Sequence, residues 1–319
     1  PNAVEGSYFV GGVFGGNIIA VYEEKRISIN CGTDNFLGSI RAEAGAFAGG
    51  YAGYTQLVAT GEEAEKTAAL CCTIADRYAG DVPGMTGEVL ANELSAASTT
   101  DAVLEMYNEE DGRGGNQNTL KSVEAELYAG GVVGYNAGNT SLLLKGIQNN
   151  TPVYAYSDTE NQELSYTETF SYAGGVIGIA SERVTIDDCR NTDKGIVRGP
   201  GTYTGGIVEV NQGTIQNCTV GSMTGESFLG GIAGLNKGGR IENCTLTGQM
   251  RGDSYLGGIV CRNEGEIVSC RVLPDDAQVS SVMGDGSYIG GISAVNSGDK
   301  ASITGWEIKG DIEGAGSFV

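Results

Sequence analysis

The chain has 319 residues, with 53 glycines, 5 prolines and 40% hydrophobic residues; it is too apolar for a disordered chain, and without a Gly-X-Y period it is not collagen. Its formal net charge is −21, with no run of Lys or Arg, which excludes nucleic acid and anionic membranes as partners and fits the solubility of a secreted protein. Histidine is absent, which removes the commonest general base, the Ser-His and Cys-His nucleophile pairs and the commonest metal ligand.

The chain opens at Pro1 without a signal peptide and is inside repeat-like sequence by Tyr8, so it reads as a mature piece or an excerpt of something longer. No stretch of 18 apolar residues is present to span a membrane. Residues 1–54 read as degenerate rungs of a repeat. Phe9 stands three residues before Gly12, with Val13 one residue after it and Asn17 five after. Phe47, Gly50, Tyr51 and Thr55 repeat that spacing, and Ile29-Asn30-Cys31 lies between the two.

Residues 55–127 read as an insertion that is partly helical. Glu62 to Tyr78 has Ala-rich spacing, an acidic first turn and Gly80 just past its end. Thr100 to Asn108 reads as a second helix, capped by Thr100 or Asp101.

Residues 128–319 read as regular rungs, one continuous solenoid domain with 1–54. The aromatic, the second glycine, the β-branched residue and the asparagine recur in phase. They are Tyr128, Gly131, Val132 and Asn136; then Tyr172, Gly175 and Val176, with Ala180 in the asparagine place. The stretch 140–170 between them reads as a longer loop or hairpin. The series continues with Tyr203, Gly206, Ile207 and Asn211, then Phe228, Gly231, Ile232 and Asn236. It ends with Tyr255, Gly258, Ile259 and Asn263, then Tyr288, Gly291, Ile292 and Asn296. A second anchor of Ile, any residue, a small polar residue and Cys runs Ile186–Cys189, Ile215–Cys218, Ile241–Cys244 and Ile267–Cys270.

Short β-branched runs broken by Gly and Asn are strands between tight turns. A unit of about 25 residues cannot bury its own apolar face, whereas stacked copies bury a continuous column. The predicted fold is therefore all-β, a parallel β-helix or β-solenoid with rungs about 4.8 Å apart. Asn136, Asn211, Asn236, Asn263 and Asn296 then form an amide ladder, and asparagine also suits a left-handed corner. The Gly-Gly pair permits a sharp corner without a Cβ clash.

Gly230-Gly231-Ile232-Ala233-Gly234-Leu235-Asn236-Lys237-Gly238, followed by Ile241-Glu242-Asn243-Cys244, resembles the GLUG-type repeat of bacterial surface proteins and adhesins. Gly130 to Asn136 and Gly174 to Gly178 are similar to it. Glu209, Cys261 and Ala294 replace the second-strand glycine of the motif. The resemblance implies a β-helix-like architecture, an extracellular site and an adhesive role, and it brings no catalytic residue.

Parity along the strand from Cys244 puts Leu246, Met250 and Leu256 inside, and Phe228 and Tyr255 outside. Tyr203, Phe228, Tyr255 and Tyr288 are thus the candidate ligand-binding stripe, open to a sugar or a partner protein. The competing reading is that the rings only stack on one another and stiffen the solenoid.

Cys189, Cys218, Cys244 and Cys270 read as buried reduced thiols, because in-line Cβ atoms do not favour the disulfide dihedral. No metal or cofactor site is predicted; Asp253 and Asp285 are the nearest approach to a calcium corner, without the six oxygens calcium needs. Arg251-Gly252-Asp253 reads as a chance tripeptide, since the neighbouring rung has Thr224-Gly225-Glu226 in the same phase. Asp187-Asp188 and Asp275-Asp276 are the candidate carboxylate pairs for glycan cleavage, but adjacent residues on a strand point to opposite faces, so neither pair can flank one bond unless it sits in a turn.

The leading expectation is a structural or adhesive module of a secreted or cell-surface bacterial protein, not an enzyme, with a glycan or host matrix protein as partner. A polysaccharide-active β-helix enzyme and a phage-type receptor-binding spike are the alternatives.

Overall fold

A computed structural model describes residues 3–6, 9–12, 14–21, 26–31, 39–42, 47–59, 61–62, 65–66, 69, 102–108, 117–118, 121–125, 128–137, 140–155, 172–198, 203–274 and 281–318. Nearly all of them belong to short parallel strands stacked in register as a β-solenoid. One circuit has five strands: Leu229–Gly230, Ala233–Asn236, Arg240–Glu242, Thr245–Leu246 and Met250–Gly252. Stacked circuits give sheets I to V in that order. Among the described residues, sheets I, II and III hold eight strands each and sheet IV seven. Sheet V comes in two blocks, one from Ala3–Gly6 to Val197–Arg198 and one from Met223–Thr224 to Ile312–Gly314.

The interior explains why two to four residues suffice for a strand. In sheet III, Ile186, Ile215, Ile241 and Ile267 lie directly above one another and none has exposed surface. Val176, Ile207, Ile232 and Ile259 do the same after the Gly-Gly pairs. Burying each such side chain contributes about 1.5–3 kcal/mol. The burial exists only once rungs stack, because one circuit leaves the top and bottom of its own side chains bare.

The glycine pair is required by close backbone approach. A Cβ on Gly231 would lie 2.1 Å from the Gly258 carbonyl oxygen, and one on Gly230 would lie 1.8 Å from that of Ala233. The left-handed corners are elsewhere. Asp188, Asn217, Asn243 and Ser269 have φ of 51°, 57°, 53° and 55°, in phase with Gly146 and Gly305, and turn the chain from sheet III into sheet IV. Phe228, Tyr255, Tyr288 and Phe318, with φ of 60°, 55°, 63° and 63°, form a second left-handed column at the corner that precedes sheet I. None of the ladder asparagines has positive φ, so the expectation that they serve a left-handed corner is corrected.

Two further readings are corrected. Val103–Tyr107, expected within a helix over Thr100–Asn108, is a sheet III strand between Arg26–Asn30 and Ser141–Lys145. Its period is two: Leu104 and Met106 are fully buried, and the residues between them are half-buried. Within 140–170, Ser141–Lys145, Gln148–Asn149 and Val153–Ala155 are rung strands of sheets III, IV and V. The stretch 55–127 thus contributes the end of Ala52–Val58, Val103–Tyr107, Gln117–Asn118 and Ser122–Ala125 to the sheets. Of the expected Glu62–Tyr78 helix, Glu62, Glu65, Lys66 and Ala69 are described and helical, and a Lys66–Glu62 ion pair of 3.1 Å spans one turn. The rest of that segment lies outside the described residues.

Candidate functional site

The four aromatic residues singled out in the sequence form one stack. Ring centroids are 5.7 Å apart from Tyr203 to Phe228, edge to face, then 4.7 Å from Phe228 to Tyr255 and 4.6 Å from Tyr255 to Tyr288. Phe318 extends the stack at 4.7 Å from Tyr288 and is 71% exposed. Tyr203, Phe228, Tyr255 and Tyr288 are half-buried. The N-terminal part of the column differs. Phe47 and Tyr128 stack at 5.0 Å, but both are buried, and Tyr54 and Tyr135 of sheet II pack beside them. Tyr172, stacked on Tyr128 at 5.1 Å, is half-buried like the rings from Tyr203 to Tyr288, so the buried part of the described column is Phe47 and Tyr128, and a half-buried ridge follows them.

Two devices hold the ridge. Ser227 Oγ accepts the Ser254 N–H at 3.2 Å, Ser254 Oγ the Ser287 N–H at 3.1 Å, and Ser287 Oγ the Ser317 N–H at 3.0 Å. The residue before each aromatic is thereby tied to the next rung. Beneath the ridge lies a glycine floor: a Cβ on Gly234 would be 2.7 Å from Tyr203 Cβ. Where Glu209 takes that floor position it is buried, and its Oε2 accepts the Ala173 N–H at 2.7 Å. Arg262 of sheet II pairs with Glu264, Nε to Oε1 at 2.8 Å.

The asparagine column is a bonded chain. Nδ2 of Asn211 donates to Oδ1 of Asn236, Asn236 to Asn263, and Asn263 to Asn296, each at 2.8 Å. Asn136 Oδ1 accepts the Thr55 hydroxyl at 2.9 Å. Ala180 interrupts the column, and the Oδ1 of Asn211 on the next rung is buried without a partner. A second, shorter ladder in sheet IV joins Asn149 Nδ2 to Asn191 Oδ1 at 3.0 Å.

Cys189, Cys218, Cys244 and Cys270 are buried and free. Each Sγ donates to a carbonyl of the preceding rung, as Cys218 does to Ile186 at 3.7 Å and Cys270 to Ile241 at 3.7 Å. Burial pushes the Cys218 thiol well above the ordinary range, and burial pushes Cys261 up to about 12. The hydrogen bond with Cys244, together with burial, raises Cys270. Cys71 and Cys72 lie outside the described residues.

Arg251 and Asp253 are exposed and line a shallow cleft over sheet V with Thr224, Met283, Asp285 and Glu313. Gly252 between them is part of a flat strand. Among the described residues no group of three His, Cys, Asp or Glu converges on one point. Asp187 accepts a hydrogen bond from Asn217 Nδ2 at 2.8 Å, and Asp188 occupies the left-handed corner. Asp275 and Asp276 lie outside the described residues. No described helix is long and apolar enough to cross a membrane.

The GLUG motif matches residues 228–249, the rung that runs from Phe228 through Gly230-Gly231, Asn236 and Cys244. No curated protein and no solved structure matches the chain.

Proposed function

We propose that this repeat module is a structural and adhesive part of a secreted or cell-surface bacterial protein, not an enzyme. Its open ridge at Tyr203, Phe228, Tyr255, Tyr288 and Phe318 takes a glycan or a host matrix protein. The observation that carries this reading is the ridge itself: rings held 4.6–4.7 Å apart from Phe228 to Phe318, none of them buried. That spacing is close to the size of one sugar ring. A ligand lies along the ridge and meets several rings at once, so individually weak contacts combine through effective concentration. An extracellular place is supported by the acidic composition and by the motif. A non-enzymatic role is supported by the lack of histidine and by the engagement of Asp187 with Asn217.

The test is the joint replacement of Phe228, Tyr255 and Tyr288 by Asn, which accepts the left-handed backbone while removing the rings. Binding is read on glycan and matrix-protein arrays, and folding by circular dichroism. A folded variant that has lost binding supports the reading. A folded variant that keeps the parent's binding refutes it, and a parent that binds nothing on either array refutes it too.

A further inference from the structure

Cys189, Cys218, Cys244 and Cys270 form a column that the aromatic ridge does not use. Each follows directly on the left-handed corner from sheet III into sheet IV, at Asp188, Asn217, Asn243 and Ser269. The strands on both sides of the corner pair in register: Asp187 with Gln216, Glu242 and Val268 before it, and Arg190 with Thr219, Thr245 and Arg271 after it. The cysteine carbonyls accept the next rung's N–H, Cys189 from Thr219 at 3.0 Å, Cys218 from Thr245 at 2.9 Å and Cys244 from Arg271 at 2.9 Å. The four residues therefore lie directly above one another.

Their side chains share one orientation. Each Sγ lies against a carbonyl two residues back and a carbonyl of the preceding rung. These are Asp187 at 3.5 Å and Leu144 at 3.6 Å for Cys189, and Gln216 at 3.2 Å and Ile186 at 3.7 Å for Cys218. They are Glu242 at 3.3 Å and Ile215 at 3.8 Å for Cys244, and Val268 at 3.5 Å and Ile241 at 3.7 Å for Cys270. Matching contacts in every rung separate successive sulfurs by the rung spacing, about 4.8 Å. All four thiols are free and at most 1% exposed, one residue beneath the surface corner. Ile147 holds the place one rung before Cys189 and closes the column there.

That geometry selects a ligand. Sulfurs in line cannot surround a tetrahedral ion, and among the described residues no group of three His, Cys, Asp or Glu converges on one point. A two-coordinate ion needs only two opposed sulfurs with the ion midway. A metal–thiolate bond is about 2.3 Å long, so those sulfurs stand about 4.6 Å apart, close to the rung spacing. Thiolates select soft ions such as Cu(I). We infer that this column binds soft monovalent cations, cuprous or silver, each seated between the thiols of adjacent rungs.

The charge balance agrees. As an ion enters, one S–H bond breaks, one metal–thiolate bond forms, the sulfur of the adjacent rung gives a lone pair as second ligand, and the proton leaves to solvent. One positive charge replaces another, so no net charge is added to a dry interior. The intervals Cys189–Cys218, Cys218–Cys244 and Cys244–Cys270 take one ion each, and the last thiol keeps its proton.

The experiment titrates the 319-residue chain with silver, counts bound ions by native mass spectrometry and follows the fold by circular dichroism. Cys31, Cys71, Cys72 and Cys261 are common to parent and variants, so differences in count report the column. Cys218→Ser interrupts two intervals and is expected to lower the count by two. Cys270→Ser interrupts one and is expected to lower it by one. If Cys218→Ser fails to fold, Cys244→Ser, flanked on both sides in the same way, carries the same expected loss of two. Equal losses of one overturn the inference, because they show thiols acting singly. No loss in either variant overturns it too, as does silver uptake that unfolds the parent.

Discussion

Replacing Asn236 by Ala removes four hydrogen-bond contacts from the middle of the solenoid. The Nδ2 of Asn236 donates to Asn263 Oδ1 at 2.8 Å, to the Gly239 carbonyl at 3.1 Å and to the Glu266 carbonyl at 3.4 Å, and its Oδ1 accepts from Asn211 Nδ2 at 2.8 Å. Three of these neighbours keep a second partner. Asn211 Nδ2 still reaches the Gly213 carbonyl at 3.3 Å, Asn263 Oδ1 still accepts the Gly265 N–H at 3.3 Å, and the Gly239 carbonyl still accepts the Glu266 N–H at 2.9 Å. These three groups are not orphaned, so the loss stays near that of the bonds themselves. Two amide hydrogens and one oxygen make three full bonds, which at about 0.5–1.5 kcal/mol each total about 1.5–4.5 kcal/mol. Urea denaturation of the variant beside the parent measures it, with Lys237→Ala as an exposed control in the adjacent position. A stacked array can unfold in parts, so amide hydrogen exchange across Asn211–Asn263 is read alongside the midpoint. A midpoint shift no larger than that of Lys237→Ala, with unchanged exchange, refutes the ladder as a source of stability.

Ala180→Asn supplies the missing donor to the partnerless Asn211 Oδ1 and is expected to raise stability by about 1 kcal/mol; an unchanged or lower midpoint shows that the site cannot take the amide. Gly231→Ala puts a Cβ 2.1 Å from the Gly258 carbonyl oxygen and is expected to melt the protein well below the parent, whereas Gly238→Ala, with open space around its Cβ but φ of 78°, is expected to cost only about 1–2 kcal/mol. Cys189, Cys218, Cys244 and Cys270 are expected to resist alkylation when folded and to react fully in denaturant without reductant; a chain lighter by two protons per cysteine pair contradicts free thiols. Because burial pushes Cys261 up to about 12, above the ordinary thiol value of 9.0, the unfolded chain sheds that proton first. Its contribution is therefore complete below pH 9 and declines as pH rises towards 12, and a Cys261→Ala variant whose stability relative to the parent is the same at pH 8 and pH 10.5 refutes that sign.

The solenoid was legible because the phase of its anchors is visible without any structure. Ile241 and Ile267, Asn236 and Asn263, or Gly231 and Gly258 must coincide in space if the chain repeats in space. Strands that carry no such anchor were lost. Val103–Tyr107 and Ser141–Lys145 lie where the repeat is stretched by longer connections, and a cap-like Thr100-Asp101 outweighed the two-residue period of Leu104 and Met106. Phe318 is marked only by Ser317-Phe318 repeating Ser287-Tyr288, a weaker signal than the Gly-Gly pair that locates the other aromatics. Ser227 and Ser254 are recognisable as rung positions, but recurrence alone does not show that each hydroxyl accepts the next rung's N–H, and a single Asn in a short strand, as in the Asn149–Asn191 pair, has too little periodicity to stand out. The burial of Phe47 and Tyr128 goes with Tyr54 and Tyr135 packing beside them, at the rung position four residues after the second glycine, where later rungs carry Val210, Leu235 and Arg262.

The two left-handed corners carry the same backbone and very different residues. At the corner after sheet III the chain uses Gly146, Asp188, Asn217, Asn243, Ser269 and Gly305, mostly residue types that adopt positive φ at little cost. At the corner before sheet I it uses Phe228, Tyr255, Tyr288 and Phe318. For a bulky side chain that conformation costs about 1–2 kcal/mol, and stacking one ring on the next returns about 0.5–1.5 kcal/mol. Backbone geometry alone would therefore favour Asn or Gly there, and the neighbouring corner shows that this chain uses them freely. The rings are present for what a row of rings does. In the N-terminal half the aromatics in the same phase, Phe47 and Tyr128, are not left-handed; they open sheet I strands and fill a buried cluster with Tyr54 and Tyr135. At Tyr203, Phe228 and Tyr255 the sheet II positions in the same rungs are Val210, Leu235 and Arg262 instead of tyrosine, and the rings are half-buried. The aromatic phase thus fills a core in one half of the solenoid and stands partly open in the other.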